Sequence, residues 1–150
     1  HRHIALIGGK NHIRSTYDKR MRYRMLLRKN GITYRERYVT DSDYNIEGGY
    51  QCMEKLFQEN RTMPTAVIAI NDFSAIGILR SVPQDISLVS FDGTFLSDIV
   101  NPKLTSVCYD YASFGKMLAA SAVKLLSGEE IPKIQQCVSR LIVRESTILQ

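Results

Sequence analysis

The 150 residues contain no tryptophan, three cysteines and four prolines. Cys52, Cys108 and Cys137 stand far apart, with no CxxC pair and no histidine cluster near them. That spacing excludes a zinc site or a disulfide framework and fits a reducing, cytoplasmic setting. No stretch of about 18 apolar residues occurs, so no membrane-spanning segment is expected. The GxSxG elbow, HExxH, the Walker GxxxxGKS/T loop and GxGxxG are all missing, and Gly8-Gly9 is too short a signal to cradle a phosphate. With neither an activated nucleophile nor a metal or nucleotide cofactor signature, an enzyme is not expected. Histidine occurs only at His1, His3 and His12 and receives no role. The chain opens on His1 and enters the apolar run Ile4–Ile7 almost at once, so further chain is expected upstream.

What is present is an ordinary globular mixture, 44% hydrophobic and 23% charged, enough for one domain or two small lobes. The net charge of +5 invites a nucleic-acid reading, and its densest run is Lys19–Lys29, with Arg20, Arg22, Arg24 and Arg28 inside it. Tyr23, Leu26 and Leu27 supply a core stripe to the same segment, so the charges read as the solvated face of a helix.

Short β-rich runs alternate with helical patterns throughout. Ile4–Ile7 reads as a strand, Asp18–Lys29 as a helix stopped by Asn30-Gly31, and Tyr34–Val39 as a more polar strand. Ile46, Tyr50, Met53 and Phe57 mark one face of a second helix. Ala66–Ile70 and Ile86–Phe91 are continuous apolar runs, as expected of strands covered on both faces, and a helix capped by Asp72 lies between them. Leu104–Tyr109 is another strand. Phe114, Met117, Leu118, Ser121, Ala122 and Leu125 form the cleanest helical stripe, stopped by Ser127-Gly128, and Val138–Val143 closes the series. Such alternation implies parallel strands joined by right-handed crossovers, an α/β fold with a sheet layered between helices.

Open parallel sheets bind ligands beyond the carboxyl ends of their strands. Gly8-Gly9-Lys10, Asn71-Asp72 and Asp92-Gly93-Thr94 fall there. This set suits acid and base chemistry, a metal, or hydrogen bonds to a polyhydroxylated ligand. Each member also has a plain structural use: Asp72 as a helix cap, Gly93 as turn chemistry, and Asn71 and Asp92 as strand-end polar groups that need a partner or a wet cleft.

At this point the residues resemble the lactose and galactose repressor (LacI/GalR) family. PTAVIAINDFSAIG is similar to the family's PTA…A.ND..A.G element, and VPQDISLVSFDGT to its VP.DIS..GFD element. NPKLTSV at Asn101–Val107, Gly115, and LIVREST at Leu141–Thr147 continue the pattern, and IALIGG and GGYQCM precede it, so the resemblance spans essentially the whole chain. It implies a periplasmic-binding-protein-like fold of two lobes. Residues 1–94 would form the C-terminal subdomain, 95–136 would return to the N-terminal subdomain, and 137–150 would close the C-terminal one. Hinges would lie near Asp92–Asn101 and Gln136–Leu141. The family's helix-turn-helix headpiece would lie outside this chain, so the +5 charge is not read as a DNA footprint.

The resemblance also implies an effector site between the lobes. Asp92 matches the carboxylate that accepts effector hydroxyls, Asn71 a second polar contact, and Tyr44 an aromatic position whose ring covers one face of a sugar. A cationic position in the first helix falls on Lys19 by spacing and on Arg20 by identity, and the two remain alternatives. Arg22-Tyr23 departs from the family's Gly-aromatic pair. The segment between Gly77 and Val82 is about eight residues shorter than the family pattern, leaving too little for a normal helix of about eight residues or more, through a deletion or through residues not in this chain, with the second favoured. The implied protein is a cytoplasmic, homodimeric repressor. A small carbohydrate, with galactose or a galactoside first in line, changes its affinity for operator DNA. A transporter's sugar-binding protein is the alternative, and a small enzyme using Asp72 and Asp92 is a third reading without a nucleophile.

Overall fold

The computed structural model describes residues 1–83 and 85–147, so Gln84 of the VPQDIS motif and the last three positions of the expected closing segment lie outside it. Six strands form one sheet: β1 (Ile4–Gly8), β2 (Val39–Asp41), β3 (Ala66–Ala69), β4 (Ser87–Asp92), β5 (Thr105–Tyr109) and β6 (Ser139–Ile142). Their order is β2-β1-β3-β4-β5-β6. All pairings are parallel except the last, where β6 runs antiparallel to β5 with Val107 opposite Leu141.

The helices are α1 (Arg14–Lys29), α2 (Ile46–Glu59), α3 (Asp72–Leu79), α4 (Leu96–Ile99) and α5 (Tyr111–Leu126). The apolar runs of β1 and β3 follow from burial on both faces. On one face Leu6 packs with Tyr23 and Leu27 of α1, with Ile4 and Ile68 beside them. On the other, Ala5, Ile7, Val67 and Ala69 meet Met53 and Leu56 of α2 and Ala75 and Ile78 of α3. The basic side chains Arg22, Arg24, Arg28 and Lys29 stand exposed on the outside of α1, as expected of a solvated face.

Several expectations are corrected. Tyr34–Val39 is not a strand: a 3-10 turn at Glu36–Tyr38 buries Tyr38, whose hydroxyl donates to the Thr62 carbonyl at 2.7 Å, and β2 begins only at Val39. Leu26 is exposed rather than core. The α2 stripe is centred on Gly49, Cys52, Met53 and Leu56, because the backbones of α2 and α3 approach so closely that a Cβ on Gly77 would meet the Ile46 carbonyl and the Tyr50 nitrogen. The segment after Gly77 still completes an eight-residue α3, closed by Ser81 and Val82 amides donating to the Ile78 carbonyl. Past Thr94 the chain continues the same sheet with β5, between β4 and β6. The stripe of α5 is real in sequence but unburied, and no residue of that helix is buried.

Candidate functional site at the carboxyl edge of the sheet

Because β1 to β5 are parallel, their carboxyl ends share one edge, and all five expected residues lie along it, with Arg20 set apart from the other four at the β2 end. Tyr44, three residues past β2, adopts φ 62° and lays its ring over Gly9, where no Cβ would fit. Its hydroxyl meets the buried Thr16 hydroxyl of α1 at 2.8 Å. Asn71, just past β3, donates from its amide to the Tyr44 carbonyl at 2.9 Å. Its Oδ1 accepts from the Ser74 amide at 2.8 Å. Asn71, not Asp72, is therefore the N-cap of α3.

Lys19 and Arg20, the two alternatives on α1, face different partners. The Lys19 ammonium donates to the Ile70 carbonyl at 3.4 Å and lies 4.1 Å from the centroid of the Phe91 ring. Burial holds its pKa below the ordinary lysine value, opposed by the charge of Asp92. Arg20 points instead to the end of β2, where it pairs with Asp41.

Asp92, the last residue of β4, has φ 95°, a region that non-glycine residues seldom occupy. Among the described residues its carboxylate accepts no hydrogen bond, while its backbone carbonyl accepts from the Tyr111 hydroxyl at 2.8 Å. Burial raises its pKa above the ordinary carboxylate value; Lys19 opposes that rise and Asp72 adds to it. A half-buried carboxylate with unused acceptors, a desolvated ammonium and an aromatic face suit a ligand carrying hydroxyl donors, acceptors and C–H faces. Among the described residues no group of three or more metal-ligating side chains occurs.

Asp72 was read from sequence as a cap or a ligand group and is neither. It is wholly buried. Its Oδ1 accepts from the Ser90 hydroxyl at 2.6 Å and the Ser106 hydroxyl at 3.1 Å. Its Oδ2 accepts from the Thr94 amide at 2.6 Å, the Thr94 hydroxyl at 2.8 Å and the Ser97 hydroxyl at 3.0 Å. Thr16, Phe91 and Tyr111 were also missed. Phe91 stood inside the quoted FD element, whereas Thr16 carried no signal, because its role depends on the turn at Tyr44. A separate open groove of about 620 Å³ lies along α1 between Met21 and Tyr34. None of the strand-end loops lines it, so it offers no converging polar groups of this kind.

Residues 1–147 match the periplasmic binding protein-like domain family. The chain belongs to that family. Its relatives are LacI/GalR-type regulators: catabolite control protein A of Priestia megaterium is 30% identical over 98% of this chain and 47% of its own length. Among solved structures, the dimeric lac repressor with an 11-residue C-terminal deletion has a TM-score of 0.90 at 26% identity, covering 99% of this chain and 56% of that one. The complex of the transcriptional regulator CelR with cellobiose has a TM-score of 0.86 at 27% identity, covering 97% of this chain and 47% of that one. The chain thus spans about half the length of the relatives it matches. No described helix is long and apolar enough to cross a membrane.

Proposed function

We propose that this chain is the greater part of the effector-sensing module of a LacI/GalR-type transcriptional repressor and that its carboxyl edge binds a neutral carbohydrate. The observation that carries this reading is the Asp92 carboxylate, held at the strand end with no hydrogen-bond partner among the described residues, beside Lys19 and Phe91. Charge balance supports the ligand class. Lys10 pairs with Asp43, Arg20 with Asp41, and Lys19 interacts with Asp92, so each of these three cations already has a carboxylate beside it, which favours a neutral ligand over a phosphate or a uronate. The Tyr44 ring would cover one apolar face of the sugar while its hydroxyls meet Asp92 and Lys19. The cellobiose bound by CelR is a neutral sugar of this kind. Galactose or a galactoside is the first candidate.

In the same reading the protein is a cytoplasmic homodimer that contacts operator DNA through a headpiece outside this chain and performs no catalysis. The sheet residues form the C-terminal subdomain, and α5 belongs to the N-terminal one. The lobe crossings then follow β5, at Tyr109–Asp110, and precede β6, at Gln136–Val138. The sugar acts through its differential affinity for two lobe arrangements, a coupling of about 1 to 3 kcal/mol. The test is a thermal-shift panel of neutral monosaccharides and disaccharides beside sugar phosphates and uronates on the full-length protein. A shift confined to neutral sugars and lost in Asp92→Ala supports the reading. A response to charged sugars only, or one that survives Asp92→Ala, rejects it.

A further inference from the structure

The carboxylate at Asp72 is wholly buried and bonded five times, yet no cation lies within ion-pairing distance of it among the described residues. A buried charge without a counter-ion is costly, and neutral donors must solvate it. Those donors are informative in their origin. Ser90 comes from β4, Thr94 from the loop after it, Ser97 from α4 and Ser106 from β5, while Asp72 itself opens α3 directly after Asn71. One carboxylate therefore joins the two sequence elements that flank the candidate site.

The contacts fall on the residues next to Asp92. The Thr94 amide and hydroxyl both bind Oδ2. The Gly93 amide donates to the Ser106 hydroxyl at 3.1 Å, and that hydroxyl donates in turn to Oδ1. On the other side the Tyr111 hydroxyl holds the Asp92 carbonyl. An aspartate at φ 95° persists only where its surroundings over-determine it, and these bonds do so. We infer that Asp72 is a positioning residue: through Thr94 and the Ser106–Gly93 relay it fixes the strained loop that aims the Asp92 carboxylate at the ligand. This inference rests on the reading of Asp92 as the ligand-facing group. It assigns the second residue of the ND element a task different from that of Asn71, which caps α3 and holds Tyr44.

The charge of Asp72 also reaches Asp92, whose other titratable neighbours are Lys19 on α1, Cys108 and Tyr109 on β5 and Tyr111 on α5. That charge gives a second readout of the link between the two carboxylates, beside the exchange of the loop amides. In the full chain without sugar, Asp72→Asn should speed amide exchange at Gly93 and Thr94 by about tenfold or more, as expected for loss of charged hydrogen bonds, with β1 and β3 amides unchanged. In the same variant the Asp92 carboxyl resonance should titrate at lower pH than in the parent. Thr94→Val, which deletes one bond and keeps the carboxylate, should speed exchange of the loop amides without lowering the Asp92 midpoint, and it serves if Asp72→Asn does not fold. Unchanged loop exchange in either variant, or an unmoved Asp92 midpoint in Asp72→Asn, overturns the inference. The sugar panel on the parent protein judges the effector reading separately, since neither of these readouts requires a ligand.

Discussion

The Asn71 side-chain amide donates to the Tyr44 carbonyl at 2.9 Å, so the end of β3 holds the turn that follows β2. Tyr44 has φ 62° there, and its ring spans from Gly9 to the Thr16 hydroxyl. Tyr44→Phe keeps the ring and loses one hydrogen bond, a cost of about 0.5 to 1.5 kcal/mol in stability with sugar affinity nearly retained. Tyr44→Ala removes the ring and should weaken sugar binding by about 0.5 to 1.5 kcal/mol beyond its area contribution. Isothermal calorimetry on both variants with the sugar chosen by the panel separates these outcomes. Equal losses in the two would return Tyr44 to a packing role.

Asp92→Asn should raise the melting temperature at neutral pH while abolishing the sugar-induced shift. Burial raises the native pKa of Asp92 above its unfolded value, so its favourable contribution exists with the proton on and is lost as pH rises through the native pKa. At neutral pH the ionised group therefore opposes folding, and the neutral amide relieves it. Asparagine also tolerates positive φ. The two melting curves should converge as pH falls below the ordinary carboxylate range. A variant less stable at neutral pH would contradict this account.

Lys19 and Arg20 are adjacent in sequence but face different partners, which gives a second contrast. Lys19→Met should impair sugar binding, since it removes the ammonium beside Phe91 and Asp92. Arg20→Met breaks the pair with Asp41 and leaves that carboxylate partly exposed to water, so it should lower stability by about 1 kcal/mol or less and leave affinity closer to the parent. Greater loss of affinity in the arginine variant would reverse the assignment.

The fold and the site differed in how far they could be read from sequence. The strands β1, β3 and β4 were visible because burial on both faces leaves continuous apolar runs, and Gly31 and Gly128 ended helices with φ 63° and 78° as their stop signals required. The antiparallel direction of β6 leaves no mark in a four-residue strand, since the period of two is the same in either orientation. Asp92, Asn71 and Lys19 were visible as strand-end or family-matched positions. The tasks of Asn71 and Asp72 were not, because capping and loop anchoring depend on which neighbour turns inward, and Ser90, Thr94, Ser97 and Ser106 look like any other hydroxyl residues.

Two helical glycines singled out in the sequence should respond oppositely to alanine. Gly77→Ala would drive a Cβ into the backbone of α2 and should cost about 1 to 3 kcal/mol. Gly115→Ala meets nothing within 4 Å and should stabilise α5 by up to about 1 kcal/mol through helix propensity. A urea titration with an unchanged m-value reads the first, and the helical circular dichroism lost as α5 frays reads the second.

Helix α5 leads to a different kind of consequence. Phe114, Leu118, Val123, Leu125 and Leu126 are all exposed on it, and a lone helix of this length is marginal in water. Made as 150 residues, the protein should therefore lose its sheet in one cooperative melt while α5 frays gradually at lower temperature. The same greasy surface should make purified material self-associate with rising concentration. Handling and yield, rather than ligand binding, will be the first properties to reveal that helix.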